Sequence, residues 1–309
     1  STLRQLITGT LDALVRGGIR DHLGGGFHRY ATDAEWLVHH FEKMLYDNAQ
    51  LARLFTEAWL QFGDPASRGA AEETLDWILR DMTDPAGGFH SALDADSEGE
   101  EGKFYTWSHE EILRILGPDQ GPAFCLAYRI QPGGNFHDEA SGRPTGLNIP
   151  HLDPALTQAE WEALAPARLT LRQIRDQRVW PGRDDKVITS WNSLAIGALA
   201  YAGQKLERPD YRAAARRAAE FLLGLAGQPG GLPRAWRRGI PSGPAFLEDY
   251  AALANALFDL YETGDETRWR DAAVPMTRRM VETFYDSDRG YFRSTQSAHG
   301  PQLADLCDV

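Results

Sequence analysis

Cysteine is scarce in this chain, which has only Cys125 and Cys307 among 309 residues. The two cysteines form no C-x-x-C pair and show no metal-ligand spacing, so the sequence gives no sign of a disulfide framework or of a cysteine metal site. So few thiols are typical of proteins in a reducing compartment. We therefore expect a cytoplasmic protein.

Basic clusters and long apolar runs are also lacking. The formal net charge is −12, and no group of lysines and arginines is large enough to form the basic face by which proteins usually bind nucleic acid or an anionic membrane. The longest apolar runs, such as FLLGLAG at 221–227, are far too short to cross a bilayer. We therefore expect neither nucleic-acid nor membrane partners.

A short motif of two glycines and an aromatic residue recurs along the chain. It occurs as GGGFH at 24–28, GGFH at 87–90 and GGNFH at 133–137, with related forms GGLP at 230–233 and RGYF at 289–292. Short turns rich in glycine, proline and aspartate fall between these motifs and join helical stretches. Such a period predicts stacked supersecondary units, each made of a helix, a tight turn, a second helix and a Gly-Gly-aromatic connection.

The helices of these units differ in how they are buried. Apolar residues spaced by three and four over 211–225 and 246–261 predict amphipathic helices, whereas 188–202 is apolar nearly all round, as in a helix buried on every side. Closing such units into a ring predicts an all-α fold, an (α/α)6-type barrel, complete or incomplete, with short β-hairpins in the connections and one domain over 1–309. Inner helices are expected near 40–60, 188–206 and 246–263, and outer helices near 3–17, 66–82, 166–178, 209–226 and 267–285. For 90–165 we expect inserted short helices or a strand hairpin.

The polar residues that could take part in catalysis or binding lie in the connections or at the starts of inner helices. In an α/α barrel these connections all open at one end, so we expect the residues to line one shared cavity. Histidines and paired carboxylates are the groups that acid–base chemistry and glycoside hydrolysis require. The candidate catalytic residues are His28, His40, Glu42, Asp96, Asp185, Glu248 and Asp249. The candidate substrate-binding residues are Arg29, Trp36, Lys43, Asn48, Tyr105, Trp107, Lys186, Trp191 and Asn192.

Structural roles stay open for several of these residues. Charged groups on an inner helix need partners even without catalysis, so Glu42, Lys43, Asp47 and Asn48 are expected in a polar network in either case. Asp185 fits the N-cap of the following helix as well as a catalytic role. For His28 a structural role and a functional role are equally open.

The acidic run at 94–101 partly matches a calcium-binding loop. Asp94, Asp96, Glu98 and Gly99 fit positions 1, 3, 5 and 6 of an EF-hand, but position 12 is Tyr105, which cannot supply the closing bidentate carboxylate. We therefore predict no tight calcium site, no other metal and no cofactor. The run is then either a solvated acidic turn or a functional loop at the barrel mouth.

Three stretches closely resemble the spermatogenesis-associated protein 20 family, also described as YyaL-like thioredoxin-domain-containing proteins. They are 17–52 (GGIRDHLGGGFHRYATDAEWLVHHFEKMLYDNAQLA), 94–107 (DADSEGEEGKFYTW) and 184–200 (DDKVITSWNSLAIGALA). The resemblance implies a six-hairpin α/α barrel similar to those of N-acylglucosamine 2-epimerases and six-hairpin glycosidases. The family's thioredoxin-like domain is not expected in this chain, and four or five hairpins are readable where a closed barrel needs six.

Three functional hypotheses follow. The first is acid–base chemistry on a sugar, as in an epimerase or isomerase, and the second is glycoside hydrolysis by paired carboxylates. The third is a non-catalytic barrel that binds a carbohydrate or a protein client for an attached thioredoxin-like domain. All three predict a small, sugar-like ligand or a recognition surface at the barrel mouth.

Overall fold

The computed structural model describes residues 2–137, 142–264 and 266–295, together with the backbone of 307–308. The helices are α1 (Thr2–Arg16), α2 (Leu45–Phe62), α3 (Pro65–Asp81), α4 (His109–Ala127), α5 (Gln158–Ala163), α6 (Ala165–Arg175), α7 (Thr189–Lys205), α8 (Pro209–Ala226), α9 (Leu247–Gly264) and α10 (Thr267–Phe284). The strands are β1 (Tyr30–Ala31), β2 (His39–His40), β3 (Lys43–Met44), β4 (Ala92–Leu93), β5 (Asp96–Ser97), β6 (Glu100–Glu101), β7 (Arg183–Asp184), β8 (Val187–Ile188), β9 (Pro233–Arg237), β10 (Ile240–Pro244), β11 (Tyr285–Asp286), β12 (Tyr291–Arg293) and β13 (Cys307–Asp308).

The main body of the described residues consists of helical hairpins. The hairpins α2–α3, α7–α8 and α9–α10 each pair an inner with an outer helix, and the inner helix α7 packs against both α2 and α9. The inner helices predicted near 40–60, 188–206 and 246–263 are thereby confirmed as α2, α7 and α9. Helix α1 packs against the outer helix α3. This arrangement is the alternating inner and outer layering of an α/α barrel.

The turn between α2 and α3 shows how the sequence sets a hairpin. Gly63 ends α2 in the left-handed region with φ 70°, which costs glycine little. The Asp64 side chain then accepts hydrogen bonds from the backbone N–H groups of Ala66 and Ser67, and Pro65 occupies the first helical position. The four residues 62–65 thus stop one helix and start its antiparallel partner.

Helix α7 is buried on nearly all sides, as its composition predicts. Ala195, Ile196 and Leu199 have no exposed surface. Gly197 lies where α7 faces an ion pair between Arg53 Nη1 of α2 and Asp259 Oδ2 of α9, which are 2.7 Å apart. A Cβ at Gly197 would come within 2.6 Å of that Asp259 oxygen, so glycine lets the pair form without displacing the Asp259 carboxylate.

Short strands join the connections to the starts of the inner helices. Strand β3 leads directly into α2 and lies in the antiparallel sheet β3–β4–β7, and β8 leads into α7 in the sheet β8–β9–β10. The hairpin β9–β10 connects α8 to α9. The prediction of short β-hairpins in the Gly-Gly-aromatic connections is confirmed there.

Residues 94–182 form an insertion between the paired strands β4 and β7. They contain the hairpin β5–β6 and helices α4 to α6, with a separate hydrophobic cluster around Trp107, Phe124 and Leu171. The predicted outer helix near 166–178 exists as α6, and it packs against α4. The motif at 133–137 also lies in this insertion. The pairing of β4 with β7 returns the chain to the point where the insertion begins, and the assignment of α6 to a barrel unit stays a prediction.

Candidate functional site

Two asparagines fasten the Gly-Gly-Phe connections to the inner helices. Asn48 is the fourth residue of α2, and its amide accepts from Phe27 N at 2.6 Å and donates to Phe27 O at 2.9 Å. Asn192 is the fourth residue of α7 and makes the same two bonds to Phe89, at 2.7 and 3.0 Å. Both asparagines have no exposed surface. Their amides are therefore committed to backbone, which differs from the substrate-binding role expected for them.

Glycine precedes each of these phenylalanines for a steric reason. A Cβ at Gly26 would lie 3.0 Å from Asn48 Oδ1, and a Cβ at Gly88 would lie 3.3 Å from Asn192 Oδ1. The glycines let the connection pass close enough to bond the asparagine. At 24–28 and 87–90 the motif thus attaches the connection to the inner helix that follows it or lies beside it.

A buried ion network lies beneath the start of α2. Lys43 Nζ is 2.6 Å from Asp21 Oδ2 and 2.8 Å from Gly25 O, and Asp21 Oδ1 is 2.7 Å from Arg175 Nη1. Burial lowers the pKa of Lys43 to about 8, against the attraction of Asp21. Burial would raise the pKa of Asp21, but Arg175 and Lys43 hold it well below its usual range. Lys43, expected to bind substrate, instead ties β3 to α6 through Asp21.

His28 lies inside the protein rather than at its surface. Its ring stacks on His39 with centroids 4.1 Å apart and meets the edge of Tyr105 at 4.6 Å, and its Nδ1 is 3.0 Å from Phe41 O. Burial and the neighbouring His39 lower its pKa well below the usual value, so the ring is neutral. Only 2% of His28 is exposed. In this conformation neither His28 nor Tyr105 is open to a sugar.

A partly exposed polar group, which we call the entrance cluster, surrounds His40 next to the start of α2. The cluster comprises Arg29, His40, Glu42, Tyr46, Asp47 and Glu101. His40 Nδ1 is 2.7 Å from Glu101 Oε1 and its Nε2 is 3.2 Å from Glu42 Oε2. Arg29 Nη1 is 3.0 Å from the same Glu42 oxygen. The structure thus brings together the predicted residues Arg29, His40 and Glu42.

Asp47 is a carboxylate of this cluster with a raised pKa. It lies in the first turn of α2, and burial raises its pKa to about 6 against the attraction of Arg29. Its Oδ2 atom is buried and has no hydrogen-bond partner. The ring of the adjacent Tyr46 contacts Trp191 of α7, with centroids 4.7 Å apart. Trp191 therefore lies beside the entrance cluster.

The start of α9 carries a second polar group around Arg234. Asp249 Oδ1 accepts from Ser190 N at 2.9 Å and from Arg234 Nη1 at 2.8 Å, and its Oδ2 accepts from Phe246 N at 2.9 Å. Both carboxylate oxygens are used, and Asp249 has no exposed surface. Glu248 also pairs with Arg234 but remains exposed. Asp249 thus links the starts of α7 and α9, and only Glu248 of this pair is open to a ligand.

Asp185 and Lys186 lie before β8 and are held by neighbouring charges. Asp185 pairs with Arg237, and its Oδ2 is 2.7 Å from Arg238 Nε. Lys186 Nζ is 3.0 Å from Asp184 Oδ2. Helix α7 begins at Thr189 with Ile188 as its N-cap. The N-cap role considered for Asp185 is therefore wrong, because the helix starts four residues later; Asp185 instead anchors the tip of the β9–β10 hairpin.

The acidic run is a tight exposed hairpin. Glu98 and Gly99 form the turn between β5 and β6 with φ of 55° and 77°, and Lys103 Nζ is 3.2 Å from Glu98. Asp96 is exposed and pairs in register with Glu101, the partner of His40. No group of three His, Cys, Asp or Glu side chains in the described ranges is arranged to hold a metal ion. The absence of a calcium site stays a prediction.

Two of the three tryptophans expected to bind substrate lie in or against a hydrophobic core. Trp107 has no exposed surface and lies in the core of the insertion, with the Arg178 guanidinium 3.8 Å from its ring centre. Trp36 is half-buried and packs against the main core. Trp191 is thus the candidate that the structure places beside the entrance cluster.

Several residues of this region carried no usable signal in the sequence. Asp21 and Arg175 are 154 residues apart, so nothing local indicated their ion pair. Asp47 was visible only as a charge on an inner helix. Asp47 directly precedes Asn48, as Trp191 directly precedes Asn192. Aligning the starts of α2 and α7 would have revealed this correspondence.

The architecture is that of the α/α toroids, the class to which six-hairpin glycosidases belong. No protein-family model matches the chain. A solved structure of the unsaturated glucuronyl hydrolase UGL with dGlcA-Glc-Rha-Glc superimposes with a TM-score of 0.55 at 15% identity, covering 95% of this chain and 60% of that one. Cellobiose 2-epimerase from Bacillus thermoamylovorans gives 0.54 at 10% identity, covering 89% and 53%. At these identities the likeness shows the fold alone.

Within that class the chain is a homologue of spermatogenesis-associated protein 20. It is 32% identical to the human protein over 343 residues and to the rat protein over 340 residues, covering 98% of this chain in both cases. An uncharacterised protein of Caenorhabditis elegans is 31% identical over 330 residues. The chain spans 43% of the length of the human and rat proteins. The family resemblance seen in the motifs is confirmed.

No helix in the part of the chain that the structure describes is both long and apolar enough to span a membrane.

Proposed function

We propose that the entrance cluster and Trp191 bind a sugar and carry out acid–base chemistry of the epimerase or isomerase kind. Asp47 is the observation on which this rests. A carboxyl group whose pKa is raised to about 6 is present in both protonation states near neutral pH. Such a group can both remove and return a proton, which moving a hydrogen beside a sugar carbonyl requires.

The surroundings of Asp47 support a sugar as the ligand. Trp191 and Tyr46 are half-buried aromatic rings at 4.7 Å, and such rings line the sites of many small-molecule ligands. Arg29, Glu42 and His40 add donors and acceptors for hydroxyl groups.

Hydrogen exchange in heavy water tests this proposal directly. The protein is incubated with a panel of mono- and disaccharides in D2O, and NMR follows deuterium uptake at the carbon beside the carbonyl and the appearance of the epimer. We expect uptake with at least one sugar and a loss of about 100-fold or more in Asp47→Asn, the range by which a positioned acid or base contributes. Asp12→Asn, an exposed change on α1, is the matched control and should keep full activity.

The outcomes separate the alternatives. Release of a monosaccharide without deuterium uptake would favour the glycoside hydrolase instead. Saturable sugar binding without turnover would favour the non-catalytic binding barrel, which we propose as the alternative role beside a thioredoxin-like domain. If no sugar binds and Asp47→Asn changes only stability, the entrance cluster is a structural network.

A further inference from the structure

A small polar cavity lies where the insertion meets the segment between α1 and α2. It has a volume of about 20 Å³, and the side chains around it include His22, His28, His39, Tyr105 and Arg175. A cavity needs about 10–15 Å³ to hold one water molecule. The space therefore accommodates one water and is too small for a sugar or any similar substrate.

Buried polar atoms without partners are concentrated around this cavity. Across the described ranges, eight buried side-chain N or O atoms lack a hydrogen-bond partner, and four of them belong to residues around this one cavity. They are His22 Nδ1, His39 Nε2, Tyr105 Oη and Arg175 Nε. Each of the four residues is at most 5% exposed. Leaving so many buried groups unpaired is costly, so a ligand that pairs them is favoured.

The hydrogen-bonding roles of the four atoms follow from their neighbours. His22 Nε2 is 2.9 Å from Gly17 O and His39 Nδ1 is 3.1 Å from Leu37 O, and a carbonyl oxygen can only accept. Those nitrogens therefore carry the protons of the two rings, and burial keeps the rings neutral by lowering the pKa of His22 to about 3 and of His39 to about 4. His22 Nδ1 and His39 Nε2 are left as acceptors.

The other two groups are donors. Arg175 Nε carries a proton and cannot accept. Tyr105 remains a protonated phenol because burial raises its pKa. Among the residues that line the cavity, two donors and two acceptors thus lack partners.

We propose that the cavity binds one internal water molecule, held by His22, His39, Tyr105 and Arg175. A water molecule has two protons to donate and two lone pairs to accept, which matches this set. It joins Arg175 and Tyr105 of the insertion to the two histidines of the segment between α1 and α2. The proposal is independent of the sugar chemistry at the entrance cluster.

A bound anion is the competing occupant of the cavity, because the buried charges nearby are positive in sum. Lys43 and Arg175 are two buried cations against the single carboxylate of Asp21. An anion would, however, face the lone pairs of two neutral histidines, which repel it. The balance of donors and acceptors therefore favours water over an anion.

The effect of Tyr105→Phe on the melting temperature tests the proposal in solution, because its sign depends on whether a water is present. If a water pairs the Tyr105 hydroxyl, Tyr105→Phe removes a made hydrogen bond, and the melting temperature should fall by about 2–4 °C. If the cavity is dry, the same change removes an unpaired buried hydroxyl, and the melting temperature should stay the same or rise. Tyr285→Phe makes the same chemical change at an exposed residue and should have no effect.

Crystallography of the full chain provides the second measurement. At high resolution we expect one spherical density within 2.6–3.2 Å of at least three of the four atoms in the wild type, and its loss or displacement in Tyr105→Phe. Crystals grown in sodium bromide should show no anomalous peak in the cavity. A bromide peak there, an empty cavity, or a rise in melting temperature for Tyr105→Phe would each overturn the proposal.

Discussion

The starts of α2 and α7 share one scaffold but carry different side chains. Asn48 and Asn192 occupy the same position in the two helices and bond the same part of their Gly-Gly-Phe connections. Two residues before each helix, α2 has the buried cation Lys43 where α7 has the buried Val187. One residue before each asparagine, α2 has Asp47 where α7 has Trp191. The asparagine contact is repeated at both helix starts, whereas Asp47 and Trp191, for which we propose acid–base and ligand-binding roles, differ.

Among the predicted changes, disrupting the ion network beneath α2 should cause the largest loss of stability. Asp21→Asn leaves Lys43 and Arg175 as two buried cations without a carboxylate, so we expect a loss of about 3–5 kcal/mol in the free energy of unfolding. Urea denaturation measures it. Adding Lys43→Met makes the start of α2 more like that of α7 and should recover part of the loss. No recovery in the double variant would show that Lys43 is not the source of the penalty.

The hydrogen bonds of Asn48 and of Asn192 to the Gly-Gly-Phe connections should contribute equally to stability. Asn48→Ala and Asn192→Ala each leave a buried N–H and a buried C=O of a phenylalanine unpaired, and we expect each to cost about 2–4 kcal/mol in unfolding free energy. Asn255→Ala, at an exposed position of α9, is the control and should change stability by less than about 0.5 kcal/mol. A large difference between the first two variants would contradict the idea of one repeated scaffold.

Trp191 should contribute to ligand binding. Trp191→Leu removes the ring that contacts Tyr46, and we expect sugar affinity to fall about tenfold, or about 1.4 kcal/mol. Calorimetric titration with the sugar that shows deuterium uptake measures this effect. Trp180→Leu, in the insertion, should bind as the wild type does. Equal losses in both variants would indicate a general loss of folded protein.

Asp47 should make stability depend on pH. Its pKa is raised in the folded state to about 6 from 3.8, so its stabilising contribution is complete below about pH 4 and is lost as the pH rises through 6. Asp47→Asn should remove this dependence and be more stable than the wild type at pH 7 by about 1 kcal/mol, a figure reduced for the half-exposed position. Denaturation between pH 4 and 8 tests the difference, and the neutral change Gln50→Ala should keep the wild-type profile.

The sequence predicted the elements better than the contacts between them. Helices α2, α7 and α9 are visible because burial imposes a local pattern of apolar residues, and the Gly-Gly-Phe motif is visible because its steric requirement is local. The partners of Asp21 and Asp185 come from distant segments, which local periodicity does not specify. His28 and Trp107 have the residue types of functional groups, and only packing shows that both are buried. The sharing of one cavity by all the candidate residues stays a prediction.

The pairing of β4 with β7 also has a consequence for the order of folding. Hairpins such as α2–α3 close over short turns and can form early, whereas α2 meets α7 only after the chain between them has returned through the insertion. The insertion has its own hydrophobic cluster, so it can become ordered as a separate unit. We therefore expect amides of α4 and α6 to gain protection from hydrogen exchange on a different timescale from those at the α2–α7 contact. Pulse-labelling during refolding would resolve the two phases.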